Sequence, residues 1–229
     1  LFSTAPLLGD GTVPARVRIA LAMACAILVA PTLADAPTSS PFSGDGLMLL
    51  VQQVLVGVAI GFGMRLVFAA VELAGDMIGL QMGLSFATFI DPQNSTQTPI
   101  VGSFLGIIAT LILLALNGHL LMIAALIDSF RTIPISAQPE LASSVERLVA
   151  LGADIFRIGL HLSLPVLATL LVLNLAMGVL SRAAPQINIF AVGFPLTILV
   201  GLFLLGLSLP YLGVALERVL VQAIGAPSG

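Results

Sequence analysis

Long apolar runs without charge constrain this sequence more than any other feature. Residues 99–127 contain no acidic residue, lysine or arginine, and residues 47–71 contain only Arg65. Charged residues make up 8% of the 229-residue chain and hydrophobic residues 59%, whereas soluble domains carry about 25% charged residues. So few charges cannot cover a soluble fold. The apolar surface must therefore be hidden, either by lipid in an integral membrane protein or by partner subunits.

The lengths of the apolar runs predict an all-α protein with five or six hydrophobic segments. About 20 apolar residues cross a hydrocarbon core of about 30 Å, and the alternating ten-residue stretches of a membrane β-barrel do not occur. We expect an amphipathic surface helix over residues 140–157, either ending there or running on into the next apolar segment. We also expect a helix interruption at Asn117-Gly118-His119. The separate apolar segments are predicted at residues 19–34, 47–71, 77–90, 99–127, 158–181 and 189–216.

Three ionisable side chains lie in or beside the second apolar run. Arg65, Glu72 and Asp76 follow one another at spacings of seven and four residues, which places them on one face of a helix. Ionisable groups inside apolar runs are costly and are therefore candidates for function. The pattern leaves two alternatives open: a buried ion-pair network or polar pathway, or the solvated end of a helix.

Glycines recur every four residues in the same part of the chain. Small residues at this spacing allow helices to approach closely in a membrane. The pattern predicts tight helix contacts, either within the chain or between subunits. The stripes consist of Gly57 and Gly61, of Gly75, Gly79 and Gly83, and of Gly102 and Gly106.

Residues that catalysis or metal binding would require are sparse. His119 and His161 are the only histidines and Cys25 is the only cysteine, and none lies in a metal-binding or nucleophile motif. A net charge of −3 and the scattered arginines exclude a nucleic-acid binder. We therefore expect neither an enzyme nor a cofactor or metal site.

Residues 82–99 are the most unusual segment. Bulky apolar residues are followed by a polar stretch that lies between Pro92 and Pro99. Non-helical backbone at membrane depth is stable only where protein buries it or where it lines a wet cavity. The segment is either an ordinary loop or a re-entrant element at a pore. Its candidate gate residues are Met82, Phe86, Phe89, Ile90, Asp91, Pro92 and Gln93.

Several motifs follow one another in a fixed order along the chain. They are residues 14–20 (PARVRIA), 79–92 (GLQMGLSFATFIDP), 116–119 (LNGH) and 181–196 (SRAAPQINIFAVGFPL), with Ser129, Phe130 and Pro134 behind the third. In this order and spacing they resemble the FliR family, the R-type subunits of the bacterial flagellar type III export gate. The resemblance covers essentially the whole chain, except that we expect most of the family's first hydrophobic segment to be missing.

The resemblance implies a channel-forming subunit in the flagellar basal body of the bacterial inner membrane. Its expected partners are the P-type and Q-type subunits FliP and FliQ, together with FlhB and FlhA, and its transported substrates are unfolded flagellar proteins. It implies a P-like helical part over residues 1–139, with a pore loop at 86–99 that helps to plug the channel. Residues 140–229 would form the amphipathic helix and a Q-like hairpin.

The resemblance also gives the singled-out residues expected roles. Phe86, Phe89 and Ile90 become an apolar obstruction, since hydrophobic constrictions close pores by dewetting. Arg65, Glu72 and Asp76 become candidates for polar contacts between subunits or within the complex, and the glycine stripes become subunit-packing seams. The alternatives are the homologous injectisome export subunit and a standalone small-solute carrier, although the internal repeat typical of a carrier is not evident.

Overall fold

The chain is all-helical over the residues that its computed structural model describes, which are 1–6, 9, 11, 13–32, 43–84, 99–132, 141–186 and 188–224. The predicted all-α class is confirmed. In chain order the helices are α1 (Ala15–Val29), α2 (Gly44–Gln81), α3 (Ile100–Ala115), α4 (Gly118–Thr132), α5 (Leu141–Ala183) and α6 (Ile189–Ile224), and a short 3-10 turn (Ala30–Thr32) follows α1.

Helix α2 joins two segments that the sequence predicted to be separate. The prediction that one segment ends at residue 71 and another begins at residue 77 was wrong, because α2 runs without interruption through Glu72 and Asp76. Charged side chains end a run of hydropathy, but they do not interrupt backbone hydrogen bonds four residues apart. With 38 residues, α2 is about 57 Å long, which exceeds the hydrocarbon core of a bilayer.

The predicted span over residues 99–127 is broken into α3 and α4. The break lies at Leu116 and Asn117, where Asn117 has a φ of 53°, the left-handed conformation that asparagine tolerates better than most residues. The Asn117 carbonyl accepts the Leu120 N–H at 2.9 Å and so begins the next helix. The helix interruption expected from the sequence is confirmed at this position.

Helix α6 is longer than predicted, and in α5 the amphipathic helix runs on into the next apolar segment, which is one of the two alternatives left open by the sequence. Residues 141–157 and the following apolar segment form the single 43-residue helix α5, which contains Pro165. Helix α6 continues through Pro195 and Pro210 for 36 residues. Proline removes one backbone hydrogen bond, and neighbouring hydroxyls often compensate in membrane helices. In α5, Thr169 Oγ1 donates a hydrogen bond of 2.9 Å to the Pro165 carbonyl. The carbonyl that Pro165 leaves without its helical donor is a different one, that of His161 four residues earlier.

The chain divides into two compact units. The first contains Leu1–Val67, Leu113–Ala153 and Glu217–Gly229, and there the N-terminal residues pack on the first half of α2. The second contains Phe68–Ile112 and Asp154–Leu216, so it combines the second half of α2 with parts of α3, α5 and α6. Its buried apolar residues include Ala70, Val71, Ile78, Met82, Leu105, Ala109, Val166 and Leu170.

Three described helices are long and apolar enough to cross a membrane. They are Gly46–Gln81, Arg157–Ala183 and Ala191–Arg218, and the broken pair α3 and α4 would add a fourth if it formed one span. Large hydrophobic side chains are exposed along these helices, including Val179, Phe203 and Tyr211. These exposed apolar faces are those of a membrane protein rather than of a soluble fold.

Candidate functional site

The second half of α2 lies in direct backbone contact with α3. A Cβ atom added at Gly75 would lie 2.6 Å from the Gly102 Cα and 2.8 Å from the Val101 carbonyl oxygen. At Gly79 the added atom would lie 3.3 Å from a Val101 methyl group. Any side chain larger than hydrogen at Gly75 would therefore force the helices apart. These two glycines of the predicted stripe thus meet a helix of the same chain.

Two acidic side chains lie over the two glycines of α3. A Cβ atom at Gly106 would lie 3.1 Å from Glu72 Oε1, and one at Gly102 would overlap Asp76 Oδ1. Glu72 and Asp76 are one helical turn apart, as are Gly106 and Gly102, so each carboxylate occupies the space that a missing side chain leaves. We call Glu72, Asp76, Gly102 and Gly106 the carboxylate seam.

The two carboxylates differ in their surroundings. Glu72 is exposed, whereas Asp76 is half-buried. Asp76 Oδ1 is fully buried and has no hydrogen-bond partner among the residues that the structure describes. An unpaired buried carboxylate oxygen is costly, so the position of Asp76 is set by the close helix approach rather than by a favourable polar contact. Arg65, the third member of the predicted polar face, is exposed and belongs to the first unit.

The remaining predicted packing glycines have two different roles. Gly57 and Gly61 lie against the N-terminal residues, with Leu1 N 3.4 Å from an added Cβ at Gly57 and Thr4 overlapping one at Gly61. Gly83, expected to continue the stripe on α2, lies beyond the end of that helix at a φ of 81°. Its role is to end α2, because left-handed backbone of this kind favours glycine.

Met82, the first of the predicted gate residues, is completely buried, with 0% of its surface exposed. Its side chain packs on Gly201 of α6, where an added Cβ would lie 2.6 Å from Cγ and 2.7 Å from Sδ. Thr197 Oγ1 lies 3.3 Å from the Met82 carbonyl oxygen. Met82 therefore anchors the end of α2 in the second unit. The other gate residues, Phe86, Phe89, Ile90, Asp91, Pro92 and Gln93, lie outside the described residues.

Sequence reasoning missed the small residues through which α5 and α6 contact α2. An added Cβ at Gly159 of α5 would lie 2.9 Å from the Ala70 carbonyl oxygen, and Ser163 Oγ lies 3.7 Å from Met77 Sδ. On α6, Thr197 contacts the Met82 backbone and Gly201 contacts the Met82 side chain. Both pairs have the four-residue spacing of small residues that identified the glycine stripes. The signal that could have found them was therefore present in the sequence.

The histidines lie apart from this seam. His161 is exposed. His119 is half-buried, and its buried Nδ1 atom has no hydrogen-bond partner in the described ranges. Across the described part of the chain, no group of three His, Cys, Asp or Glu side chains is placed to hold a metal ion. The arrangement shown is one of close helix packing, with the exposed Glu72 and the half-buried Asp76 lying over two glycines of α3.

An all-helical chain with several membrane-length apolar helices packed through glycines belongs to the class of helical membrane proteins. Its sequence matches the family described as bacterial export proteins, family 1, over residues 1–223. The chain belongs to this family.

Curated relatives extend the comparison. The flagellar biosynthetic protein FliR of Pectobacterium carotovorum subsp. carotovorum is 49% identical over 92% of this chain and 80% of its own length. The protein of the same name from Escherichia coli K12 is 45% identical over 96% and 84% of the two chains. That of Bacillus subtilis 168 is 34% identical over 95% and 85%.

Proposed function

We propose that this chain is a core subunit of the flagellar type III protein export gate and forms part of the channel through which unfolded flagellar proteins leave the cell. The observation that carries the proposal is membership of the bacterial export family over residues 1–223. The relatives from Pectobacterium, Escherichia and Bacillus all bear the flagellar name, which favours the flagellar gate over the injectisome.

The exposed apolar faces of α5 and α6 support a subunit that works inside an assembly. Only 22% of the most apolar stretch of each of these two helices is buried within the chain, against 50% for the corresponding stretch of α2. We propose that the P-type and Q-type subunits FliP and FliQ cover much of this surface, and that FlhB and FlhA join the complex. Its site is the flagellar basal body in the bacterial inner membrane.

The proposed gate is the segment from Phe86 to Gln93, with Phe86, Phe89 and Ile90 as its apolar obstruction. Met82, the first of the predicted gate residues, is proposed to belong to the gate as well, and it lies buried against α6. Arg65 and Glu72, whose side chains are exposed, are proposed for polar contacts with partner subunits. Asp76, half-buried at the carboxylate seam, is proposed to act within the chain.

Co-purification tests the proposal. A tagged chain expressed with its P-type and Q-type subunits should carry both through solubilisation and size-exclusion chromatography, and it should restore motility to a strain lacking its own gene. The matched control expresses the tagged chain with an unrelated membrane protein of similar size. A chain that carries neither subunit with it while motility is restored would contradict the proposal.

A further inference from the structure

One side of α5 carries a regular, largely exposed apolar seam. Its residues follow one another at alternating spacings of four and three, which is the spacing of the heptad repeat along which two helices pack side by side. Three of its leucines, Leu160, Leu164 and Leu171, expose 44%, 44% and 56% of their surface. We call this set the Asn174 seam, and it consists of Leu160, Leu164, Leu167, Leu171, Asn174 and Gly178.

Asn174 differs from the hydroxyl side chains in this part of α5. Those of Ser163, Thr169 and Ser181 each donate to a carbonyl about one turn earlier in their own helix, so they are satisfied whatever surrounds the helix. The Asn174 side chain is exposed and makes no hydrogen bond with any residue that the structure describes. Its carboxamide offers two N–H donors and a carbonyl acceptor to a neighbour.

Acyl chains cannot be the neighbour that satisfies this carboxamide. Asn174 lies within the membrane-length apolar helix Arg157–Ala183, eight residues before Arg182, or about 12 Å along the helix axis. With Arg182 at the surface of a hydrocarbon core of about 30 Å, Asn174 lies well inside that core. An amide without hydrogen bonds is strongly unfavourable there, and polar side chains of membrane helices bond instead to an adjacent helix.

Gly178, one turn beyond Asn174 on the seam, leaves room for such a helix. Nothing lies within 4 Å of a Cβ built at Gly178, so the space beside it is open. Where α5 packs on its own chain, the glycine position is filled instead: an added Cβ at Gly159 would lie 2.9 Å from the Ala70 carbonyl oxygen. A small residue beside a polar one allows a second helix to approach closely enough for a hydrogen bond.

We propose that the Asn174 seam binds an apolar helix of a partner subunit, and that a hydrogen bond to the Asn174 carboxamide sets the register of that helix. The inference rests on the proposed assembly into the export gate and names the surface through which α5 enters it. Heptad spacing predicts a left-handed pair that crosses at about 20°. One asparagine in such a seam selects a single register, because other alignments leave its amide unpaired. The bound helix should carry an amide, hydroxyl or carboxyl side chain opposite Asn174.

Asn174→Leu is the main test, in a tagged chain expressed with its P-type and Q-type subunits. The fraction of chain that retains both subunits through size-exclusion chromatography should fall about five-fold, because one hydrogen bond is lost and the partner's polar group is left unpaired. The amount of chain inserted in the membrane should not fall, since leucine makes the helix more apolar. Asn174→Gln keeps the amide and should retain most of the wild-type fraction. Thr169→Val is the matched control, because it removes an exposed hydroxyl that bonds within α5, and it should leave the fraction unchanged.

Photo-crosslinking tests the same contact with Asn174 in place, and it decides alone if Asn174→Leu reduces insertion. The photo-reactive residue p-benzoylphenylalanine, placed at position 171 on the seam, should form an adduct with the P-type or the Q-type subunit. Adducts with lipid alone or with a second copy of the chain would overturn the proposal, as would wild-type assembly of Asn174→Leu. If the unaltered chain retains both subunits, such results overturn the seam alone. An unaltered chain that retains neither subunit would overturn the export-gate function as well.

Discussion

The second half of α2 and the whole of α6 have similar compositions but different surroundings. Both are apolar and carry several glycines. At Gly75 of α2, an added Cβ would touch the backbone of α3, whereas at Gly206 and Gly213 of α6 nothing lies within 4 Å. In the most apolar stretch of α2, 50% is buried within the chain, whereas in that of α6 only 22% is buried. Glycine thus makes contact within the chain at Gly75 of α2, as it also does at Gly201 of α6, whereas at Gly206 and Gly213 it leaves a surface open.

This difference indicates where the chain is sensitive to added volume. Protein interiors are close-packed, so an extra group in the carboxylate seam must move a helix. An extra group on the open face of α6 costs the isolated chain little, and its effect depends on what covers that face in the assembly. Substitutions in the two regions should therefore separate folding of the chain from assembly of the complex.

The largest effect is expected from Gly102→Leu. The substitution places a side chain where Asp76 Oδ1 and the α2 backbone already lie, so α2 and α3 cannot keep their contact. We expect a loss of about 3 kcal/mol in the free energy of unfolding, at the upper end of the range for overpacking. Unfolding of the detergent-solubilised chain in increasing denaturant, followed by circular dichroism, measures it.

Ser103→Leu is the matched control for this variant, since it adds the same side chain one residue further on at an exposed position of α3. It should change the stability by no more than about 0.5 kcal/mol. Equal losses in Gly102→Leu and Ser103→Leu would show that the seam is not the tight contact described.

An intermediate effect is expected from reversing the charge at Glu72. Its side chain lies over Gly106 but is exposed, so the longer arginine of Glu72→Arg has room to turn away from the seam while it reverses the charge offered to a neighbour. We expect the amount of chain inserted in the membrane to stay the same. The fraction that co-purifies with partner subunits should fall several-fold, as measured by quantitative immunoblotting. Glu72→Gln, which keeps the shape, should lie between this variant and the wild type. Normal assembly and motility with arginine at this position would leave Glu72 without an inter-subunit role.

The class of fold followed from the sequence because it depends on the lengths of apolar runs. The helix boundaries did not, since hydropathy treats Glu72 and Asp76 as an end, whereas the backbone of α2 continues through them. The interruption at Asn117 was predictable from asparagine and glycine together, which favour left-handed backbone. A helix interruption set by two adjacent residues was therefore easier to predict from the sequence than the ends of the long helices.

The candidate site was only half accessible from the sequence. Spacing identified Gly75 and Gly102 as candidates for close packing and Asp76 as a candidate for polar contacts, but no periodicity within one helix tells which neighbouring helix it faces. The contacts of Met82 with Thr197 and Gly201 join residues more than 100 positions apart, and only the tertiary fold brings them together. Gly83 shows a second limit of the sequence analysis. Its four-residue spacing from Gly79 predicted that the glycine stripe continues on α2, whereas Gly83 ends that helix.

The smallest effect is expected from Gly178→Ala in α5, and its sign separates the two kinds of glycine. Nothing lies within 4 Å of a Cβ at this position, so the methyl group meets no neighbour in the chain. Alanine loses less backbone entropy than glycine on forming a helix, and the variant should gain about 0.5–1 kcal/mol in denaturant unfolding of the isolated chain. Gly75→Ala provides the comparison at a filled position and should lose stability in the same assay. If Gly178→Ala also destabilised the isolated chain, the face of α5 around it would be packed rather than open. The contrast between the packed glycines of α2 and the open glycines of α5 and α6 would then fail at this position.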